Sequence, residues 1–440
     1  MNEQQTASTS PSWVLTCVDC AAQHSPLQAI YRCPCGGTLD VIHDLDALRD
    51  AGLSTQTFDE RLSSRRPEDR SGVWRFRELI LPVPPADIVT RQEGHTNLYD
   101  APASLAQYAG VARLQLKHEG ENPTASFKDR GMTAGVTIAK RLGMTRVACA
   151  STGNTSASMA SYAAIAGMQA IVFIPAGKIS YGKLSQALAY GALTLQVEGD
   201  FDAAMALVQQ VCAREGIYLL NSVNPYRIEG QKAIAFELLQ DLGWRVPDWV
   251  VVPGGNLGNC SALAKGLLEL RALGLIDRLP QLAVVQAQGA NPLYLAWSQG
   301  LDRVTPRAAS TLATAIQIGD PVSWRKALRG LRATQGVVTE ADDQAIMDAK
   351  AQVDAAGIGA EPASCATVAG IRRLVAEGVI SPDAHVCAIL TGHVLKDSDA
   401  IIHYHQRSLP HITSTFANAP IPAGATADDI LRAIAAAPAR

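Results

Sequence analysis

The chain reads as an α/β protein whose parallel-rich sheets are covered by helices on both faces, and three observations carry that reading. From Val111 onward, short apolar β-type runs alternate with helical segments. The length of 440 residues, 48% hydrophobic and 18% charged, suits two sheets, and hence two lobes, better than one. Loops rich in Gly, Ser, Thr and Asn follow several of the runs, where doubly wound sheets bind ligands.

In chain order, residues 1–12 are polar, rich in Ser, Thr and Gln, and expected to be disordered. They lack the charged-then-apolar order of a signal peptide, and no uninterrupted apolar run reaches membrane-spanning length. The expectation is a cytoplasmic protein without a membrane partner. A net charge of −3, with no basic or aromatic patch, gives no sign of a nucleic-acid partner.

Residues 13–43 form a module marked by Cys17-x2-Cys20 and Cys33-x-Cys35. Two close thiol pairs, each followed by turn-forming residues, suit a tetrahedral structural zinc in a small ribbon, with Cys17, Cys20, Cys33 and Cys35 as ligands. The second pair is tighter than the usual two-residue spacing. His24 and His43 are possible substitutes for a ligand, and a ribbon folding without metal is the other reading. The remaining cysteines, Cys149, Cys212, Cys260, Cys365 and Cys387, lie in apolar surroundings, as buried reduced thiols do.

Residues 44–71 are charged and poorly periodic, a connecting helix and linker. Residues 72–415 hold the alternating pattern. Strand-like runs are Arg113 to Lys117, Arg146 to Ala150, Ala170 to Pro175, Leu193 to Val197, Ile217 to Leu220, Trp249 to Pro253, Leu282 to Gln286 and Val386 to Leu390. Residues 416–440 are an Ala- and Pro-rich tail with one expected helix, Asp428 to Ala436, capped by Thr426.

The stretch with the most pointed chemistry is Asn122-Pro-Thr-Ala-Ser-Phe-Lys-Asp-Arg-Gly131. Lys128 sits where a turn gives way to a helix expected over Asp129 to Leu142, with Met132, Val136, Ala139 and Leu142 on one face. The positive end of a helix dipole disfavours a cation there by about 0.3–1 kcal/mol and lowers an amine pKa, as a Schiff-base lysine requires. An isolated lysine in such a place is ordinarily a surface residue. Ser151-Thr-Gly-Asn-Thr155 and Pro253-Gly-Gly-Asn-Leu-Gly-Asn259 each follow a strand and open a helix, which suits an anion. The first also reads as a plain capped helix start. The second lacks the spacing and the acidic residue of a dinucleotide site.

Together these segments resemble threonine synthase, an enzyme dependent on pyridoxal phosphate (PLP) and built on the two-lobed tryptophan-synthase-β fold. The likeness runs from about Gly72 to Asp399. It includes His118 to Met132, Asn221-Ser-Val-Asn-Pro-Tyr-Arg227, Glu361-Pro-Ala-Ser364 and Leu390-Thr-Gly-His-Val-Leu-Lys-Asp397. The resemblance implies that Lys128 carries PLP, Asn154 contacts the phenolic oxygen and Gly254, Gly255, Asn256, Leu257 and Gly258 cradle the cofactor phosphate. It assigns Thr391 to the pyridine nitrogen. Ser151, Thr152 and Thr155 would hold the substrate carboxylate, and Ser222 and Arg227, with Asn259, the substrate phosphate.

The implied reaction turns O-phospho-L-homoserine and water into L-threonine and phosphate, in a homodimer acting on a small molecule. The chain departs from the family at Asn97, where Pro is usual, and at Ala125 and Val394, where Gly is common. A related reading is a PLP enzyme of the same fold taking another phosphorylated amino acid, such as cysteate synthase with O-phosphoserine and sulfite. A reading of another class is a non-catalytic protein built around the ribbon.

Overall fold

The computed structural model describes residues 12–176, 181–198 and 201–436. The expectation for residues 1–12 therefore lies almost wholly outside the described residues.

Three sheets organise the chain. β1 (Trp13–Cys17), β2 (Gln23–His24) and β3 (Leu39–His43) form an antiparallel ribbon in the order β2-β1-β3. β4 (Leu98–Asp100) and β5 (Arg113–His118) belong to the larger lobe. β6 (Arg146–Ala150), β7 (Gln169–Pro175), β8 (Leu193–Val197) and β9 (Tyr218–Leu219) form the smaller lobe's parallel sheet, ordered β8-β7-β6-β9. β10 (Trp249–Pro253), β11 (Gln281–Ala287), β12 (Val337–Ala341) and β13 (His385–Leu390) complete the larger sheet, ordered β12-β11-β10-β13-β5-β4.

The larger sheet is parallel throughout except where the edge strand β4 runs against β5. Its central strand, Trp249-Val-Val-Val-Pro253, is buried at every position, as a strand covered on both faces must be. β4 and β12 are the strands that the apolar pattern does not announce. β4 spans three residues, and β12 reads Val-Val-Thr-Glu-Ala, with a carboxylate where an apolar residue would mark a strand. That carboxylate, on Glu340, is satisfied by the Asn291 side chain and lies beside Arg373.

The expected lysine helix runs Lys128–Arg141. Every residue from Asp129 to Ala139 is buried, so the helix has no water-facing side over that span, only neighbours. One neighbour is the Pro225–Asp241 helix, buried from Pro225 to Gln240. The two backbones meet at glycines, since a Cβ on Gly230 would lie 1.9 Å from the Arg130 carbonyl oxygen and one on Gly131 would lie 2.8 Å from that of Arg227.

One hydrophobic cluster joins the ribbon to the two lobes, from Trp13, Leu15 and Val41 through Phe76, Phe236 and Leu263. A second fills the opposite face of the larger sheet with Val285, Ile346, Val368 and Leu390. The tail helix forms over Ala427–Ala436, and Thr426 caps it: its hydroxyl accepts from the Asp429 amide at 3.2 Å and donates to the Asp429 carboxylate at 2.7 Å.

Candidate active site

The lysine loop is stitched to the loop that follows β13. Ser126 and Gly392 form a β-bridge, the Phe127 amide donates to the Thr391 carbonyl at 3.0 Å, and the His393 amide donates to the Ala125 carbonyl at 3.1 Å. Ala125 adopts left-handed backbone, φ +65°, a conformation that favours glycine. Below the loop, Asp129 accepts from the Thr124 amide at 2.6 Å and from the hydroxyls of Thr124 and Ser158. Burial lifts the Asp129 pKa to about 6 against those donors.

Lys128 is the first residue of its helix, and its Nζ lies 4.1 Å from the centre of the Phe127 ring. Loss of water around the amine, with the nearby Arg227 charge, brings its pKa down from 10.5 to about 7, and Glu361 opposes the shift. An amine held there is a nucleophile and base at neutral pH.

Asn154 and Thr391 converge on one buried carboxylate. Asn154 Nδ2 donates to Glu361 Oε2 at 3.0 Å, and Thr391 Oγ1 lies 3.4 Å from Glu361 Oε1 and 3.0 Å from Ser364 Oγ. A Cβ on Gly392 would meet the Glu361 carboxyl at 2.4 Å, so the glycine makes room for that side chain. Burial pushes the Glu361 pKa up. Sequence reasoning quoted Glu361 without giving it a role, although a carboxylate set directly before a proline-led, buried helix was a readable signal.

The glycine loop opens the Gly258–Ala272 helix. A Cβ on Gly254 would fall 2.5 Å from Val284, where something must shift, and one on Gly255 3.2 Å from Ile316, a tight contact, so the loop is packed closely at both glycines. Leu257 precedes the helix in left-handed backbone, φ +63°. Asn256 is held by the following loop, its side-chain oxygen accepting from the Val322 amide at 3.3 Å and its carbonyl from the Ser323 amide at 3.2 Å.

Several polar atoms are buried here without a hydrogen-bond partner among the described residues. They are Asn259 Oδ1 and Nδ2, Gln231 Oε1, Ser126 Oγ and Arg227 Nε. Buried polar groups are ordinarily paired, so the unpartnered atoms of Asn259, in the first turn of its helix, and of Gln231, 3.9 Å from where a Cβ on Gly258 would lie, mark a candidate ligand cradle at that helix N-terminus. Gln231 and Ser126 were not singled out from the sequence.

Arg227 lies beneath the lysine helix, its Nη1 donating to the Leu220 carbonyl at 3.1 Å. Desolvation lowers its pKa to about 10, still charged at neutral pH. Ser151 and Thr152 are half-buried on the turn after β6, Thr155 is half-buried in the first turn of the Asn154–Ile165 helix that follows, and Ser222 is half-buried on the turn after β9. Asn221 joins those turns, since its Oδ1 accepts from the Ala150 amide at 3.0 Å.

The cysteine pairs close on each other. Cys17 and Cys35 Sγ lie 3.5 Å apart, as do those of Cys20 and Cys33, and all four sulfurs lie within 4.8 Å of one another. That is the span of a tetrahedral thiolate shell around zinc, so the short Cys-x-Cys bite is compatible with it. Gly37 is required beside it, because a Cβ there would sit 2.6 Å from Cys17 Sγ. His24 Nε2 lies 3.4 Å from Cys33 Sγ, whereas His43 is buried against Glu229 at 3.1 Å, away from the thiols.

A two-lobed, parallel-rich α/β fold with a half-buried lysine of lowered pKa at a helix start, and a glycine loop that opens another helix after a strand, defines a cofactor-dependent enzyme of the PLP class. The chain belongs to the pyridoxal-phosphate dependent enzyme family, whose profile matches residues 89–392. Among its relatives, threonine synthase of Methanosarcina acetivorans is 48% identical over 88% of this chain and 93% of its own length. That of Methanocaldococcus jannaschii is 44% identical over the same shares. In fold, the chain is similar to threonine synthase from Escherichia coli, with a TM-score of 0.67 at 19% identity over 96% of this chain and 94% of that one. Maize serine racemase follows with a TM-score of 0.61 at 18% identity, over 80% of this chain and 97% of that one.

Proposed function

We propose that the protein is a threonine synthase, converting O-phospho-L-homoserine and water into L-threonine and phosphate with PLP as cofactor. The observation that carries this reading is a lysine amine held near pKa 7 beside a buried arginine whose Nε has no protein partner among the described residues. An arginine fork suits phosphate oxygens, and a plain amino-acid substrate has no need of it.

The cradle fits the cofactor, since Gly254 and Gly255, packed against Val284 and Ile316, lead the loop backbone into the N-terminus of the Gly258–Ala272 helix, whose N–H groups suit a phosphate. When bound, PLP supplies a sink for the negative charge left at the substrate Cα. Lys128 holds the cofactor through its amine. Released by the substrate amine, it removes the Cα proton and then shuttles the Cβ proton whose loss lets the γ-phosphate leave. Water adds at Cβ and gives its proton to the released phosphate, the proton taken from Cβ is delivered to Cγ to complete the methyl group, and Lys128 returns a proton to Cα.

Asn154 orients toward the phenolic oxygen. Thr391 offers the pyridine nitrogen a neutral hydroxyl that is itself held by Ser364. Gly254, Gly255, Asn256, Leu257 and Gly258 hold the cofactor phosphate. Ser151, Thr152 and Thr155 hold the substrate carboxylate, while Ser222, Arg227 and Asn259 hold the substrate phosphate and so select the substrate.

In the same reading Cys17, Cys20, Cys33 and Cys35 bind a structural zinc. Residues 13–43 form that module, 44–71 the connection, 72–415 the catalytic region and 416–440 the tail. The protein works in the cytoplasm as a homodimer, without a nucleic-acid partner. Among the described residues no helix is long and apolar enough to cross a membrane.

The test is phosphate and threonine release from O-phospho-L-homoserine by PLP-loaded protein, with O-phosphoserine and sulfite run beside it. Equal amounts of phosphate and threonine are expected. Turnover of phosphoserine alone would replace the substrate assignment with that of a cysteate synthase.

A further inference from the structure

The loop between the two cysteine pairs rests on the segment that carries Ser222 and Arg227. Tyr31, two residues before Cys33, accepts a hydrogen bond from the Leu219 amide at 2.7 Å, and its ring packs on Tyr218 with centroids 5.6 Å apart. Six residues after Cys20, the Pro26 carbonyl accepts from the Tyr226 hydroxyl at 2.8 Å. Tyr226 is buried and adjoins Arg227. A third tie comes from β3, where His43 meets Glu229 at 3.1 Å, one helical turn into the helix that begins at Pro225. The ribbon thus touches the substrate-phosphate segment before, at and after its arginine.

From these contacts we propose that the cysteine-closed ribbon is a positioning element for substrate phosphate. Tyr31 and Tyr226 act as positioning residues that transmit its shape to Ser222 and Arg227. The inference rests on the phosphate-site reading of those two residues given above.

The physical basis is the construction of the loop. Residues 21–32 contain no regular structure beyond the two-residue β2, so the closure of the cysteine pairs fixes where Pro26 and Tyr31 stand. β9 is equally slight, with two residues paired on one side to β6. Its Leu219 amide is satisfied from the ribbon, and Leu220, one residue on, supplies the carbonyl that holds Arg227. Loosening the loop releases β9 on its outer side and lets the arginine fork drift, while Lys128 and Asn154 keep their own contacts.

The ribbon has separate anchors. Lys326 binds Asp40 at 2.6 Å, Arg325 binds Asp19 at 3.2 Å and Arg329 donates to the Val18 carbonyl at 3.2 Å. Removal of one tyrosine hydroxyl therefore leaves the ribbon docked.

The experiment uses full-length protein with PLP bound, comparing wild type, Tyr31→Phe and Tyr226→Phe, and adding Cys20→Ser in wild-type and Tyr31→Phe backgrounds. Read together are KM and kcat with O-phospho-L-homoserine, inorganic phosphate affinity by calorimetry, zinc content and cofactor absorbance. Each tyrosine variant is expected to raise KM and weaken phosphate binding by about 3- to 10-fold, the effect of one lost hydrogen bond. The kcat should stay within about twofold, with zinc content and absorbance unchanged. Cys20→Ser should lower zinc content and raise KM in wild type, and add less in Tyr31→Phe, as coupled changes do.

Unchanged KM and phosphate affinity in both tyrosine variants would overturn the inference, as would kcat falling in step with thermal stability. Should wild type not turn over O-phospho-L-homoserine, the substrate assignment falls and the phosphate titration decides alone. Weaker binding in Tyr31→Phe then supports the positioning role. Equal binding, or none by wild type, ends it.

Discussion

Lys128 owes its low pKa to its place in the fold, because an amine in water would titrate near 10.5 and this one does so near 7. Between those values the unfolded chain binds more protons than the folded one, so folding stability rises with pH across that window. The penalty is present in full below the folded pKa and is relieved as pH climbs toward the unfolded value. Lys128 is therefore expected to contribute increasing stability to the cofactor-free protein from pH 7 to 10, read as the difference in slope between wild type and Lys128→Met, because the buried thiols of Cys149, Cys260, Cys365 and Cys387, pushed up by burial, lower stability in both proteins at the upper end of that range. Denaturant midpoints at the two ends of the range check this. In the loaded enzyme, Lys128→Ala should abolish the yellow cofactor band of the Schiff base and cut kcat by at least about 10³-fold. A variant that stays coloured after dialysis and turns over normally would remove Lys128 from the mechanism.

Ala125 carries a second residue-scale expectation. At φ +65° the alanine costs about 1–2 kcal/mol relative to glycine, so Ala125→Gly should raise the denaturation midpoint. Thermal scans of the two proteins decide it, and no gain would mean that the unfolded-state freedom of glycine offsets the relief.

Between elements, the reciprocal glycines at the crossing of the Lys128–Arg141 and Pro225–Asp241 helices fix how deeply the lysine sits. Gly230→Ala would force a methyl into the Arg130 carbonyl. The expected cost is at least about 1–3 kcal/mol, because neither backbone can yield without shifting the lysine. Urea denaturation and cofactor retention measure it, and normal stability with normal PLP binding would show that the crossing is slack.

Most element positions were legible, since β6, β8 and β10 span the residues that the apolar runs mark. The lysine helix was placed within a residue, but its burial was not. Met132, Val136 and Ala139 show a face, while Thr133, Thr137, Asp129 and Arg130 on the other sides are buried as well. Those polar side chains find partners from distant segments, as Thr133 does with the Trp74 indole and the Val89 carbonyl. Periodicity cannot show that.

Across the whole molecule, Glu237 ties distant parts together. It binds Arg130 at 2.7 Å, Lys117 at 2.8 Å and Arg75 at 2.8 Å, all buried, and these cations hold its pKa well below the carboxylate range. Through it the Trp74–Phe76 turn, β5, the lysine helix and the Pro225–Asp241 helix share one ionic node. Glu237→Gln would leave three buried cations short of a counter-charge, at an expected cost of about 3–5 kcal/mol. Chemical denaturation reads the loss, and a small change would mean that Glu119 and Asp241 compensate. Lys183 of the smaller lobe reaches Asp397 at 3.1 Å and Thr314 at 2.7 Å, so the two lobes are in direct contact there.

By itself the sequence determined the α/β class, the strand and helix order, the likeness to a PLP enzyme and the segments that form the site. These follow from local periodicity and from short runs whose chemistry is complete within the run. Only the tertiary structure decided which charges face which. Glu361 meets Asn154 and Thr391, Arg227 lies beneath the lysine helix, and the ribbon rests on Leu219 and Tyr226. Those pairs are separated in sequence by tens to hundreds of residues, and hydrogen bonds and desolvation act over ångströms in space, so no local pattern encodes them.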